Sequence, residues 1–249
     1  MTMTSRRAGR PLAESPASRL RAVRSRLFWS VVWPRIRRFV ERTFHTALLL
    51  RTTNFTQTRW LGRPIRQNVL DLWTIQETIA ALRPAVIIET GTFEGGSALF
   101  YADLLDRLGG AGRVVTIDSA PQSTPPHPRV TYLLGDSTSR AVIDRVMAAV
   151  AQAAGPVMVI LDSDHSEGHV ARELDAYSPV VTPGSFLLVQ DGAIDRLGYF
   201  RAFRPGPCRA IERFLAAHAE FEIDRERCGR FLITDHPNGW LRRRADEPS

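Results

Sequence analysis

The sequence lacks lysine altogether, so all 33 of its basic residues are arginine. It has little cysteine: Cys208 and Cys228 are the only two, which is too few for a disulfide framework and predicts a reducing, cytoplasmic environment. No run of about 18 apolar residues occurs, so the sequence predicts no membrane-spanning helix. The apolar core of a secretory signal is also missing. The length of 249 residues suits one α/β domain with appendages, or two small domains.

Acidic residues are scarce in the N-terminal part of the chain. Residues 1–66 hold 15 arginines against Glu14 and Glu41, a charge of +13, whereas the rest holds 18 arginines and 24 acids, a charge of −6. A strongly basic segment of this kind can contact anionic lipid or nucleic acid. A solvated leader without such a partner is the simpler alternative.

This charge asymmetry predicts three regions. Residues 1–26 form a basic arm that we expect to be disordered, residues 27–66 a helical or irregular extension, and residues 67–245 the main domain. The extension contains a predicted helix over 27–50, broken near Pro34. Because its aromatic and arginine residues are interleaved, this helix can lie on a membrane surface, and it can equally pack on the body or on a second subunit.

From residue 85 onward, apolar strand patterns alternate with helical patterns. Five buried strands are predicted in AVIIE, RVVTIDS, RVTYLLGD, PVMVILDSD and GSFLLVQDG, and two closing strands in FEIDRER and GRFLITDH. Apolar strands that are separated by helices are typical of a parallel sheet buried on both faces. The closing strands have no helix between them, so we predict a mostly parallel seven-stranded sheet with an antiparallel edge strand.

Polar residues end each of the first five predicted strands. They are Glu89, Asp118, Asp136, the pair Asp162 and Asp164, and the pair Gln190 and Asp191. Ligands of open parallel sheets bind outside the carboxyl ends of the strands. Buried carboxylates are costly unless they are paired or bound to a cation, so packing alone does not explain this pattern.

The turn after the first strand reads E-T-G-T-F-E-G-G-S. It does not match the G-x-G-x-x-G turn that binds a dinucleotide pyrophosphate, and Glu89 and Glu94 would repel a diphosphate. A ligand with a cationic centre and an amino-acid end fits better, which points to S-adenosylmethionine. Asp118 is then placed to bind ribose hydroxyls, and Asp136 and Ser137 to reach an adenine edge. The predicted donor-binding set is Glu89, Thr90, Gly91, Gly95, Gly96, Ser97, Asp118, Asp136 and Ser137.

A second group combines LDSDHS with LLVQDG, which end neighbouring strands. Oxygen ligands of this kind suit Mg²⁺, so the predicted metal ligands are Asp162, Asp164, Gln190 and Asp191. A metal there can lower the pKa of a substrate hydroxyl, and His165 is placed to take the proton. The predicted catalytic residues are His165, Asp164 and Asp191. A helix-capping or core role is the alternative for His165.

The chain resembles the family named after cephalosporin hydroxylase, which includes cephamycin-biosynthesis methyltransferases and rhamnosyl O-methyltransferases. The matching segments include VIIETGTFEGGS, LDSDHSEGHV, VTPGSFLLVQDG and HPNGW, and the likeness spans most of residues 60–243. It implies a Rossmann-like class I methyltransferase fold for residues 67–245, S-adenosylmethionine as the methyl donor and Mg²⁺ near the acceptor. Family members commonly have glutamate where this chain has Gln190. An H-x-D triad for non-haem iron is absent.

These observations predict an O-methyltransferase that acts on a hydroxyl of a sugar, a glycolipid or a natural-product scaffold. We expect a homo-oligomer that binds no nucleic acid. Two alternatives stay open: a nicotinamide-dependent oxidoreductase on a related sheet, and a non-enzymatic domain that its basic arm recruits to membrane or nucleic acid.

Overall fold

The computed structural model describes residues 24–26 and 28–245. Its strands are β1 (Arg59–Trp60), β2 (Arg63–Pro64), β3 (Val86–Thr90), β4 (Arg113–Asp118), β5 (Val130–Leu134), β6 (Val157–Leu161), β7 (Phe186–Val189), β8 (Phe221–Ile223) and β9 (Trp240–Arg243). Its α-helices are α1 (Trp33–Arg51), α2 (Val69–Leu82), α3 (Gly96–Leu108), α4 (Arg140–Val150), α5 (Glu167–Tyr177), α6 (Ala193–Arg196), α7 (Pro207–Ala217) and α8 (Arg225–Cys228). Phe28–Val32 is π-helical, and Ser178–Val180 and Gly198–Phe203 are 3-10 helices.

The chain divides into two units, one that ends at Phe44 and one that begins at His45. The predicted basic arm lies outside the described residues except for 24–26. The predicted helix of the extension is present, and its change from π to α geometry falls at Trp33, next to Pro34. Proline is tolerated there because the first turn of an α-helix needs no backbone N–H donor. The irregular segment before α2 contains the short β1–β2 hairpin.

The second unit is built on one seven-stranded sheet with the order β5-β4-β3-β6-β7-β9-β8. Strands β3 to β7 are parallel to one another, whereas β9 is antiparallel to both β7 and β8. The order reverses between β3 and β6, and this is where ligands bind in open α/β sheets. The predicted mostly parallel sheet with an antiparallel edge is confirmed.

The predicted position of the last strand, residues 229–236, is wrong. The strand that pairs with β7 and β8 is β9, which buries Trp240 and Leu241, whereas Leu232 remains 36% exposed. The segment before β9 is held by side-chain bonds instead of a ladder, because Asp71 of α2 accepts hydrogen bonds from Thr234 Oγ1 at 2.6 Å and from the Asp235 amide at 2.8 Å. The apolar segment FLIT therefore has the sequence pattern of a strand, but the buried strand forms further along the chain, at Trp240 and Leu241.

Alternation along the strands places four polar side chains on one face of the sheet. Ile87, Val114, Ile160 and Leu188 belong to the buried cluster on that face, which packs against α2 and α3. Two positions further along each strand come Glu89, Thr116, Asp162 and Gln190. Successive side chains of a strand point to opposite faces, so these four extend the same face at the carboxyl ends of the strands. The apolar core thus ends in a polar layer.

Candidate functional site

A cavity of about 760 Å³ opens at the carboxyl ends of β3, β4 and β6. Its size is within the range of small-molecule sites. Ten of the predicted site residues line it: Gly91, Gly96, Ser97, Asp118, Asp136, Ser137, Asp162, Asp164, His165 and Asp191. Six carboxylates border the cavity, from Glu94, Asp118, Asp136, Asp162, Asp164 and Asp191. Predicted residues at the ends of five strands, β3 to β7, therefore converge on one acidic pocket.

The glycines of the E-T-G-T-F-E-G-G-S turn are needed for contacts within the chain. Gly91 has φ +88°, and a Cβ there would lie 1.9 Å from the carbonyl oxygen of Asp162. At Gly96 a Cβ would lie 2.0 Å from the carbonyl oxygen of Pro64. The turn is thus clamped between β6 and the β1–β2 hairpin. These close contacts between backbone segments fix the shape of the cavity wall. They require glycine at both positions whether or not a ligand is bound.

Glu89 lies beneath the cavity and is completely buried. Its Oε2 accepts a hydrogen bond of 2.6 Å from Thr116 Oγ1, and its Oε1 has no hydrogen-bond partner among the described residues. Burial raises the pKa of Glu89 to about 7, although hydrogen bonding by Ser97 and Thr116 opposes the rise. The carboxyl therefore changes its charge near neutral pH, and one of its oxygens is left without a hydrogen-bond partner among the described residues.

Asp118 and Asp136 lie at the ends of β4 and β5, and each is shaped by its own loop. Asp118 accepts hydrogen bonds from the amides of Phe93 at 2.8 Å and Ala120 at 2.9 Å. Asp136 accepts two bonds of 2.8 Å from Thr138, and the backbone bond is the main reason that its pKa is lowered. Both carboxylates are thus held in fixed positions, as acceptors for a ligand's hydroxyl or amino groups must be.

Ser137 is anchored by a residue that the sequence interpretation missed. Its Oγ donates a 2.5 Å bond to Oε1 of Glu173, which is completely buried and which also accepts a 2.7 Å bond from Ser163 Oγ. His169, one turn before Glu173 on α5, has Nε2 at 3.3 Å from the same oxygen and lines the cavity. A signal exists for Glu173, since it interrupts the apolar stripe of Val170, Leu174 and Tyr177 on α5.

Asp162, His165 and Asp191 form the group at this cavity whose geometry fits a metal ion. Each offers one ligand atom, and the three atoms lie within 4.8 Å of one another. His165 Nε2 is 3.2 Å from Asp191 Oδ2. Burial, and then the nearby carboxylates of Asp191 and Glu89, raise the pKa of Asp162 well above its ordinary value. A divalent cation between the two carboxylates would offset this repulsion, and the donor set therefore fits Mg²⁺.

Four other predicted residues do not line the cavity: Glu89, Thr90, Gly95 and Gln190. Thr90 is buried, and both its carbonyl oxygen (3.0 Å) and its Oγ1 (3.3 Å) accept from the amide of Asp162. Gly95 begins α3 with φ +77°. Gln190 is 1% exposed, and its Nε2 has no hydrogen-bond partner among the described residues. Glu89 lies below them, as described above.

Asp164 lines the cavity but belongs to the loop that precedes α5. It is exposed, and its Oδ1 accepts a 2.8 Å hydrogen bond from the amide of Ser166, which lowers its pKa. It is not one of the three residues whose ligand atoms lie within 4.8 Å of one another. The structure therefore places Asp164 at the edge of the group.

The backbone of Asp191 is held in a strained conformation by a second residue that the sequence interpretation missed. Asp191 has φ +56°, a left-handed value that non-glycine residues adopt at a cost of about 1–3 kcal/mol. Its amide donates a 3.2 Å bond to Nδ1 of His236, which is 1% exposed. The other ring nitrogen, Nε2, faces Asp71 at 3.8 Å. His236, the first residue of the HPNGW segment, thus fixes the backbone conformation of Asp191 through this hydrogen bond.

Residues 52–244 match the family model described as Rhamnosyl O-methyltransferase/CmcI. Over 192 residues the chain is 32% identical to a rhamnosyl O-methyltransferase of Mycobacterium tuberculosis (strain ATCC 25618 / H37Rv), an alignment that covers 75% of this chain and 78% of that protein. The protein of the same name in Mycobacterium leprae (strain TN) is 31% identical over 191 residues, covering 75% of this chain and 83% of the relative.

The fold is similar to that of CmcI. A structure described as the Mg-SAM form has a TM-score of 0.61 at 21% identity, and the likeness covers 79% of this chain and 80% of that one. An apo form of CmcI gives 0.62 at the same identity and coverage. The predicted Rossmann-like class I methyltransferase fold is confirmed. At this identity the likeness concerns the fold alone, so the roles of individual residues depend on the geometry described above.

The raised pKa of Glu89 predicts pH-dependent stability. The folded state holds this proton more tightly than the unfolded state, where the carboxyl has its ordinary pKa of 4.5, so the folded state loses stability as the pH rises from about 4.5 through 7. Glu89→Gln removes this ionisation. Its free energy of unfolding should therefore rise relative to wild type by about 2 kcal/mol between pH 5 and pH 8. Urea denaturation in the presence of a chelator measures the difference.

Exposed Glu220 provides the matched control, because Glu220→Gln should shift stability equally at both pH values. A difference between Glu89→Gln and wild type that does not change with pH would show that Glu89 ionises normally in the folded protein.

Proposed function

This chain belongs to the Rhamnosyl O-methyltransferase/CmcI family, and from that premise we propose how its cavity is used. The chain is an O-methyltransferase that acts on a sugar or natural-product acceptor. We propose that S-adenosylmethionine binds along the E-T-G-T-F-E-G-G-S turn, that Mg²⁺ binds between Asp162 and Asp191, and that the acceptor is a rhamnosyl or related hydroxyl. The observation that carries the proposal is the single cavity that joins the two acidic groups.

The donor end uses the predicted set in two layers. Gly91, Gly96, Ser97, Asp118, Asp136 and Ser137 line the cavity and would contact the donor. Glu89, Thr90 and Gly95 act from below, where they shape the turn. Asp118 accepts from ribose hydroxyls and Asp136 from the adenine amino group, because both carboxylates are already fixed by loop amides. The negative lining also favours a sulfonium ion over the diphosphate of a nicotinamide cofactor.

The acceptor end contains the proposed metal ligands and base. Asp162 and Asp191 each offer one ligand atom, and these two atoms lie within 4.8 Å of each other. Asp164 and Gln190 complete the set predicted from the sequence. A divalent ion there supplies positive charge that lowers the pKa of the acceptor hydroxyl. His165 takes the proton, and the carboxylate of Asp191, 3.2 Å from its Nε2, stabilises the imidazolium. Much of the acceleration comes from holding the hydroxyl in line with the methyl group.

A sugar acceptor is supported by the segment that follows Asp191. The 3-10 helix Gly198–Phe203 exposes Tyr199 and Phe203, at 64% and 67%. Exposed aromatic rings offer flat apolar faces with a polar edge, and they suit the apolar face of a sugar ring. Neither ring lines the cavity described above, and we propose that they contact the part of the acceptor that extends beyond it.

Replacing Asp191 should separate donor binding from turnover. We expect Asp191→Ala to bind S-adenosylhomocysteine within about twofold of wild type but to lose at least about 10²-fold in methyl transfer, because the base and the metal lose their shared partner. Calorimetry with and without Mg²⁺ and a radiolabelled methyl-transfer assay on rhamnosyl glycolipids measure the two effects. Asp175→Ala, at an exposed position of α5, is the control.

Two results would contradict the proposal. Normal turnover by Asp191→Ala would remove the metal and base assignments. Binding of NADH without binding of S-adenosylhomocysteine would favour the oxidoreductase alternative.

The N-terminal unit supports a further part of the proposal, contact with an anionic membrane. Its helix α1 carries Ile36, Phe39 and Val40 on one face, with Phe39 71% exposed. Arg38 and Arg42 lie on the opposite face by the 3.6-residue period. Apolar residues on one face and arginines on the other are typical of helices that lie in a lipid interface. None of the described helices is long and apolar enough to cross a bilayer.

We therefore propose that α1 rests on an anionic membrane surface, where a glycolipid acceptor would be found. The full-length protein should sediment with vesicles that contain phosphatidylglycerol, less so as salt rises, and not with vesicles of phosphatidylcholine alone. Ile36→Ser/Phe39→Ser should lose at least about tenfold in vesicle affinity, because each buried apolar side chain contributes to insertion. Arg107→Ser, on the second unit, is the control.

Equal sedimentation of the double variant and wild type would contradict the membrane proposal.

We further propose a cytoplasmic homo-oligomer that does not bind nucleic acid. Light scattering of the same variants tests the oligomer. Dissociation of the double variant into monomers, with vesicle binding unchanged, would assign the α1 face to a second copy instead.

A further inference from the structure

The charge of the cavity is unbalanced for the donor that we propose. S-adenosylmethionine carries a sulfonium and an ammonium group, which the acidic lining favours, but it also carries an α-carboxylate. Six carboxylates border the cavity, and among its described lining residues Arg66 is the only one with a permanent positive charge. A seventh carboxylate in this pocket would be repelled unless it were paired with that guanidinium.

The guanidinium of Arg66 has only weak contacts in this structure. Its Nε is 3.9 Å from Oε2 of Glu94, and both side chains are about 40% exposed, 42% and 41%. An ion pair of this length on the surface contributes little. The guanidinium also lies 5.6 Å from the centre of the Phe93 ring. None of the side-chain hydrogen bonds among the described residues uses it, so its donors are available to a ligand.

The position of Arg66 is nevertheless well defined. It follows β2, whose Pro64 carbonyl packs directly against Gly96 at the start of α3. Arg66 and Phe93 both have left-handed backbones, with φ of +52° and +46°. Such conformations persist where the surrounding structure enforces them, and they cluster at ligand sites. Phe93 belongs to the E-T-G-T-F-E-G-G-S turn, and the contact of its ring with the Arg66 guanidinium places the two strained residues next to each other.

We propose that Arg66 binds the α-carboxylate of the donor's methionine end. The inference rests on the proposed use of S-adenosylmethionine and adds the residue that selects its amino-acid end. The guanidinium exchanges the long contact with Glu94 for a paired, two-point contact with the ligand carboxylate, a geometry that arginine provides and lysine does not. The start of α3, at Gly96 and Ser97, presents backbone N–H groups to the same end of the cavity.

Two ligands separate the carboxylate contact from the rest of the site. S-adenosylhomocysteine has the α-carboxylate, and its decarboxylated analogue retains the ammonium group but lacks the carboxylate. Calorimetry on the full-length protein should give Arg66→Ala an affinity for S-adenosylhomocysteine at least about tenfold below wild type, a typical loss for a charged hydrogen-bonded contact. Affinity for the decarboxylated analogue should stay within twofold. The affinity of Arg66→Lys for S-adenosylhomocysteine should lie between that of wild type and that of Arg66→Ala.

Arg63 provides a matched control, because it lies three residues before Arg66, in β2, and does not line the cavity. Arg63→Ala should bind both ligands as wild type does. If Arg66→Ala proves unstable, Arg66→Gln keeps the size of the side chain and tests the same contact.

Three outcomes would overturn the inference. Unchanged affinity of Arg66→Ala for S-adenosylhomocysteine would show that no carboxylate contact exists. Equal weakening of both ligands would indicate a disturbed loop instead of a lost ion pair. Failure of the wild type to bind either ligand would overturn the proposed function itself, and the inference with it.

Discussion

Mutual repulsion among the carboxylates at the carboxyl ends of the parallel strands is the constraint on which the rest of the site depends. The parallel strands end side by side, so the acidic residues that follow them are held close together. Burial and the neighbouring carboxylates raise the pKa of Asp162, and burial raises the pKa of Glu89 to about 7. A fold that keeps such groups without pairing them with arginine is prepared for cationic ligands. We propose that a sulfonium donor and a divalent ion supply that charge at the two ends of one cavity.

The backbone around this edge is fixed by contacts that leave little room for adjustment. Gly91 lies against the Asp162 carbonyl and Gly96 against the Pro64 carbonyl. Behind the acceptor end, His236 holds the amide of Asp191 in its left-handed conformation. Behind the donor end, Glu173 holds Ser137. The polar groups that line the cavity are therefore positioned by a further layer of buried polar groups, which is how a site keeps its geometry before a ligand arrives.

Much of this could be predicted from the sequence, and the parts that could not have physical reasons. Apolar strands followed by acids indicated both the sheet and the carboxyl ends at which we propose the site, because an apolar run and the polar residue that ends it are local features of the sequence. The last strand was wrong because FLIT and WL are equally apolar, and only burial distinguishes them. Arg66 gave no local signal, and His236 appeared only as part of the matching segment HPNGW, because the contacts of both residues depend on how distant segments pack. Glu173 did give one, as an acid in the apolar stripe of α5.

The most direct measurement is a crystal structure of the protein soaked with S-adenosylhomocysteine and Mn²⁺, the latter located by its anomalous scattering. We predict the adenosyl group between Asp118 and Asp136, and one metal peak within bonding distance of Asp162 and Asp191. Ligand density elsewhere on the protein, or a metal peak bound by none of the carboxylates at the ends of β3 to β7, would contradict the assignment of this acidic edge as the site of methyl transfer.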